Sequence, residues 1–276
     1  MERKMYTIAK LISKWGCGGM IVQEDYNDLI LIQQHDHALI SGTIANAWNE
    51  NYFKGEGRRE SVELAIAQHD SCWKKLDEKP IYLASTKQPA SFLYYPLKEK
   101  ITAYSQGVDE MEKKNKLAAL LISMHYSSFF QGNLDQEGEV FKSNEKDRQK
   151  NLWKELIHGS EEREEVKFYF DLLQLCDNLS LYLCMNKWGC SKEEELSWFK
   201  NGFPQQLTSL NGVNMVAEWR SPSNVKLTPY PFTEDQVEVH IPYKKIQKEC
   251  INRYNLKDEI DSAELKKHKV TFACDE

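Results

Sequence analysis

Residues 161–185 give the strongest helical signal in the chain, and that segment limits what the rest can fold into. It opens on acidic residues, which suit the positive end of a helix. It then turns apolar, with Phe168, Leu172, Leu175, Leu179 and Leu183 tracking one face at helical spacing. Asp177 lies inside this apolar half. A buried charge is costly unless it is paired or bound to a metal, so Asp177 asks for a partner.

A second stretch, Ala65-Ile66-Ala67-Gln68-His69-Asp70-Ser71-Cys72-Trp73, raises the same question: an apolar run ends in an adjacent His-Asp pair. The spacing predicts a helix over about 60–76, with Val62, Ala65, Ile66, His69 and Trp73 on one stripe. Helical neighbours are about 100° apart, so His69 and Asp70 can both reach one ion. A third helix is predicted over about 36–49, with Asp36 as its N-cap. On it His37 shares a face with Ile40, Ser41 and Ile44 and points inward. Imidazole and carboxylate ligands together suit divalent transition metals. The pair alone is a weak signal, because 7 His and 42 acidic residues already yield a second His-Asp at His35-Asp36.

The remaining chain reads as follows. Two apolar segments, 20–23 and 29–32, flank a turn-rich linker and predict a β-hairpin. Residues 98–106 and 111–130 read as helices, with His125 beside the stripe of the second, and 152–157 as a short one. The polar stretch 132–148 reads as a loop. Another helix is expected over 191–200. From 205 to 246 the pattern becomes strand-like, with strict alternation at Val237-Glu238-Val239-His240-Ile241 and a corner at Tyr230-Pro231-Phe232. The tail, 247–276, is charged, with a possible final strand at 269–273. The expected fold class is therefore mainly α, a helical bundle (36–204) with a small antiparallel sheet from the N-terminal hairpin (20–33) and the C-terminal strands (205–246), all in one domain.

The composition, 41% hydrophobic and 28% charged, is that of an ordinary globular protein. A net charge of −6 argues against a nucleic-acid polymer as partner. No apolar run reaches membrane-spanning length. Residues 1–19 read as an extension and not a signal peptide, since Lys10 and Lys14 interrupt their apolar part. Seven scattered cysteines without a C-x-x-C pair suggest reduced thiols and a cytoplasmic location. The bland reading holds for several candidates: His35 just before a helix, His158 at a helix end, His240 outward on a strand, His268 in the tail, and Cys176 and Cys184 as buried apolar residues.

The order His37, then His69-Asp70, then Asp177, each on a helix, resembles the HD-domain superfamily of metal-dependent phosphohydrolases. Within it the chain is similar to an uncharacterised HD-like bacterial family, a domain of unknown function. The matching stretches are Ile32-Gln33-Gln34-His35-Asp36-His37-Ala38, Ala67-Gln68-His69-Asp70-Ser71-Cys72-Trp73, Ser123-Met124-His125, Leu175-Cys176-Asp177-Asn178-Leu179-Ser180-Leu181 and Leu227-Thr228-Pro229-Tyr230-Pro231-Phe232. The resemblance implies an HD-like helical core, with His37, His69, Asp70 and Asp177 as ligands of a divalent ion (Mn, Fe, Co, Ni, Zn or Mg). His125 would be an additional ligand or a substrate contact. The implied function is hydrolysis of a nucleotide or other small phosphate ester by a metal-activated water, with Asp70 orienting or deprotonating that water. Trp73, Arg58, Arg59, Lys74 and Lys75 are the candidate substrate contacts, being near the pair in sequence. Two alternatives stand beside it: a non-catalytic metal-binding or regulatory module, and a diiron oxygenase using His125 and His158 as further ligands.

Overall fold

Residues 19–55, 57–132 and 134–274 are described in a computed structural model. The extension expected over residues 1–19 lies outside them apart from Gly19, as does Cys17. Strands β1 (Ile21–Asp25) and β2 (Asp28–Ile32) form the expected hairpin, turning at Tyr26 with a φ of 53°. The run Leu29-Ile30-Leu31-Ile32 is continuously apolar because both faces of β2 are covered. Ile30 and Ile32 join the main core, while Leu29 and Leu31 pack with Ile246, Ile251, Leu256 and Ile260.

Helix α1 (Gln34–Asn46) begins earlier than the pattern suggests. Gln33 takes the N-cap position, and Asp36 lies in the first turn instead. Helix α2 (Arg59–Gln68) packs on α1 at a point of close approach, Gly42 against Ala67. A Cβ at Gly42 would sit 2.5 Å from the Ala67 Cβ and 3.0 Å from its Cα. Glycine is required there because backbone, not a flexible side chain, occupies the space. Gly42→Leu is therefore expected to lower unfolding free energy by about 1–3 kcal/mol or more, read by chemical denaturation. A variant as stable as the parent would show that the two helices can separate freely.

The sequence expectation of one helix over 60–76 is corrected by the structure. Helix α2 ends at Gln68, a single 3-10 turn covers Ser71–Trp73, and a short α3 (Lys74–Asp77) follows. A small hairpin, β3 (Tyr82–Leu83) with β4 (Gln88–Pro89), leads to α4 (Leu97–Glu112) and α5 (Lys116–Ser128). Asn115 separates α4 from α5 by capping the latter, its side chain accepting from the Ala118 N–H at 2.9 Å. The expected loop over 132–148 is mostly helix: α6 spans Gln136–Leu156. Its buried stripe is thin, and one member is an acid, Glu145, which accepts from Ser123 and pairs with Arg148. The long helix α7 (Ser160–Met185) lies where the strongest signal placed it. The helix expected over 191–200 is a series of turns.

The expectation of a mainly α fold with a small antiparallel sheet is overturned. The chain is 48% helical and 20% strand, and its main sheet has six strands. Strands β5 (Val216–Ser221), β6 (Asn224–Thr228) and β7 (Gln236–Gln247) are followed by α8 (Leu256–Ser262) and β8 (Leu265–Ala273). The strand order is β1-β2-β7-β8-β6-β5. The tail thus supplies an interior strand, and its pairing with β6 is parallel, so the sheet is mixed. In β7, Val237, Val239 and Ile241 are buried and alternate with exposed Glu238 and His240. Phe232, at the corner before β7, meets Trp48 edge-on, and Asn49 donates its N–H to the Pro231 carbonyl at 3.0 Å. The sheet thereby holds the segment that follows α1, while α7 and α2 pack along that helix. Among the described residues no helix is long and apolar enough to cross a membrane.

Candidate metal centre

Helices α1 and α7 and the end of α2 each bring one ligand-type side chain to a common point. His37 is on the inward face of α1 with Ile40, Ser41 and Ile44, all buried. His69 and Asp70 follow the last residue of α2, and Asp70 adopts φ −112° and ψ 21°, outside helical geometry. Asp177 sits in the apolar half of α7 and is 5% exposed. His37 Nε2 is 3.3 Å from His69 Nε2, and Asp177 Oδ1 lies 3.3 Å from the first and 3.4 Å from the second. For bonds of about 2.1 Å, ligands of one ion are roughly 3.0 Å apart in octahedral and 3.4 Å apart in tetrahedral geometry. The triangle has the dimensions of such a ligand set. Asp70 stands slightly off it, with Oδ2 3.5 Å from His37 Nε2 and 3.9 Å from His69 Nε2.

The hydrogen bonds behind the imidazoles fix how they face. His69 Nδ1 donates to the Ile66 carbonyl at 2.7 Å. Ser180, on α7, donates its hydroxyl to the His37 carbonyl at 2.7 Å, so its oxygen accepts from His37 Nδ1 at 2.9 Å. Each neutral ring then carries its proton on Nδ1 and turns a bare Nε2 lone pair toward the other. Two lone pairs and a carboxylate converging at these distances repel unless a cation lies among them. The donor set therefore fits a divalent ion, held by His37, His69 and Asp177 with Asp70 beside it.

The titration behaviour agrees with that demand for positive charge. Burial disfavours a charged His37, but hydrogen bonds to Asp177 and Asp70 outweigh it and raise its pKa to about 9. Burial also opposes the charge on Asp177, yet hydrogen bonds from His37 and His69 hold it well below the usual carboxylate range. In the metal-free protein a proton takes the cation's place. His125, on α5, lies at the edge: its Nε2 is 3.8 Å from Asp177 Oδ2, and its Nδ1 is buried without a partner. Burial depresses its pKa to about 4, so it is neutral at pH 7.

A family model described as "Protein of unknown function (DUF3891)" matches residues 20–248. This chain is a DUF3891 protein. The match includes every residue of the centre and stops before α8 and β8. No curated protein and no solved structure matches the chain. The match places this DUF3891 protein in that family and does not extend to the wider HD superfamily.

The other residues singled out in the sequence fall in different places. Trp73 is 1% exposed and lines the cavity at the centre. Arg58 and Arg59 do not. Arg58 pairs with Glu162 at 2.8 Å, and Arg59 pairs with Glu63 at 2.7 Å while donating to carbonyls at the end of α1. They tie helices together and do not line the cavity. Lys74 and Lys75 are exposed and line a separate groove between α3 and α4. His158 is exposed beyond α6, so the extra pair of histidines expected of a diiron centre is not assembled among the described residues. Ser180, Gln34 and Lys100 escaped the sequence reading. Ser180 stands three residues after Asp177, and Lys100 leads the stripe Tyr104, Val108 and Met111, spacings that would have flagged both.

Ser180→Ala removes the acceptor that orients His37. Metal affinity is expected to fall about 10- to 100-fold, as for other losses of an outer hydrogen bond to a ligand, measured by competition with a chelator. An unchanged affinity would show that packing alone sets the ring.

Proposed function

We propose that this protein is a metal-dependent phosphohydrolase of the HD type, acting on a small phosphate ester. The observation that carries this reading is the convergence of His37 Nε2, His69 Nε2 and Asp177 Oδ1 at 3.3–3.4 Å, beside a cavity that His37, Asp70 and Asp177 line. A divalent ion held there would supply electrophilic polarisation of a phosphoryl oxygen and acidify water. Asp70, 7% exposed and lining the cavity, is placed to accept the proton of the attacking water. His125, neutral and aimed at the second Asp177 oxygen, offers a hydrogen bond to substrate or leaving group. Trp73, Tyr104 and Phe129 form apolar wall around these groups and exclude bulk water.

The test is direct. Protein purified with Mn, Co, Ni, Fe, Zn or Mg is assayed for bound metal and against a panel of nucleotides and simple phosphate esters. Turnover dependent on bound metal is the expected result. A metal-loaded protein inert across the panel would identify a binding module instead, and oxygen consumption with two irons per chain would identify an oxygenase.

A further inference from the structure

We propose that Gln34 and His125 select the substrate by its hydrogen-bond donors, and that its class is a phosphate ester bearing a free hydroxyl on the carbon next to the esterified one. The inference rests on the hydrolase reading above and names the substrate of that site. Gln34 is 1% exposed and lines the cavity together with His37, Asp70 and Asp177. It stands one helical turn before His37 on the buried face of α1, so the two side chains leave the helix as neighbours, with Cβ atoms about 5–6 Å apart. Its main chain is pinned, because the Gln34 N–H donates to Asp77 Oδ2, on α3, at 3.0 Å. Its side-chain oxygen is buried with no hydrogen-bond partner. Buried polar atoms are nearly always paired, so an orphan on a residue of the cavity wall asks for a donor from the cavity's occupant.

His125 repeats the observation from another helix. It is 2% exposed on α5, lines the same cavity, and its Nδ1 is buried without a partner. Its Nε2 faces the Asp177 carboxylate at 3.8 Å, which favours the ring proton on that nitrogen and leaves Nδ1 as a lone pair. Both orphans are therefore acceptors. A phosphoryl oxygen is an acceptor too and satisfies neither, whereas a hydroxyl satisfies either. The cavity is about 30 Å³, and one water needs about 10–15 Å³, so it takes roughly two or three water-sized groups. That is room for a phosphoryl oxygen and a nearby hydroxyl, with the rest of the molecule toward solvent. The spacing of Gln34 from His37 along one helix face sets how far the hydroxyl stands from the phosphorus, and a P–O–C–C–O chain spans a comparable distance. An ester without the hydroxyl leaves both acceptors unpaired in low-dielectric surroundings.

The experiment uses the full chain loaded with Co(II) and two probes, glycerol 3-phosphate and n-propyl phosphate, which differ only in hydroxyl groups. Affinity is read from the visible spectrum of the ion, and kcat/KM in parallel for any ester that turns over. The parent is expected to prefer glycerol 3-phosphate by roughly 10- to 100-fold, the penalty for leaving a buried acceptor unpaired. Gln34→Met, close in volume but without the amide, should bring the two esters to within a few-fold by weakening glycerol 3-phosphate alone, with metal content and propyl phosphate affinity unchanged. Gln34→Glu keeps an acceptor oxygen and should retain the preference while weakening both esters through its charge. His125→Phe keeps an aromatic ring in place, should also narrow the preference, and serves if Gln34→Met does not fold. A metal-loaded parent that binds both esters equally overturns the hydroxyl recognition and leaves the hydrolase reading standing. A full preference in either folded, metal-loaded variant, Gln34→Met or His125→Phe, overturns the assignment to that residue. A metal-loaded parent that neither binds nor turns over either ester overturns the substrate class and leaves hydrolysis to the wider panel. A parent that holds no metal overturns both readings.

Discussion

Asp177→Ala is expected to abolish stoichiometric metal binding. Asp177 is the only carboxylate in the tight triangle of ligand atoms, and its Oδ1 lies within 3.4 Å of both Nε2 atoms. Its removal leaves two neutral imidazoles facing each other, which hold a divalent ion poorly. The loss should exceed the factor of about 10–100 that follows removal of an outer hydrogen-bond partner. The same change strips the metal-free protein of the charge that balances a protonated His37, and breaking a buried pair costs about 3–5 kcal/mol. Asp177→Asn keeps the shape and separates the two effects. Metal analysis after exhaustive dialysis, with chelator competition, reads the first, and denaturant unfolding reads the second. His69→Ala should match Asp177→Ala in metal loss. One equivalent of metal retained by both variants would place the ion elsewhere and end the proposal for this centre.

Asp70→Asn is expected to reduce turnover about 10²- to 10⁴-fold, the range of a lost general base, with metal still bound. The separation follows from the geometry. Asp70 Oδ2 stands 3.5 Å and 3.9 Å from the two histidine nitrogens, outside the triangle but on the cavity wall. Asn preserves size and one acceptor oxygen but cannot take up a proton. The drop should fall on kcat more than on KM. Activity within a few-fold of the parent would assign proton removal to another group, and metal lost in proportion to activity would make Asp70 a ligand first.

The centre was more legible in the sequence than the fold around it. A His or Asp on an otherwise apolar stripe conflicts with its surroundings, and that conflict is visible without coordinates at His37, at His69-Asp70 and at Asp177. The helix α7 was readable from its strong local period, and the hairpin β1–β2 from two apolar runs around a turn-rich linker. Helix α6 was not, because its inward face includes Gly138 and the acid Glu145, whose partners Ser123 and Arg148 satisfy it only after folding. Arg58 and Arg59 looked like phosphate contacts because they lie close to the pair along the chain. Their guanidinium groups reach Glu162 and Glu63 instead.

The amino-acid order alone determined which side chains had to be neutralised inside the protein, since burial of charge is set by local pattern and by the penalty for leaving it unpaired. Only the tertiary structure decided the extent of the sheet. Strand β8 reads as a charged tail from Leu265 to Lys269, yet Val270 and Phe272 are buried where it inserts between β7 and β6. That placement depends on pairing with β7 residues 21 to 37 positions away, a contact that no local period encodes. Folding likewise decided that Lys100, on a helix bearing none of the candidate ligands, would line the cavity beside them, because α4 contributes its stripe to that wall only once the helices pack.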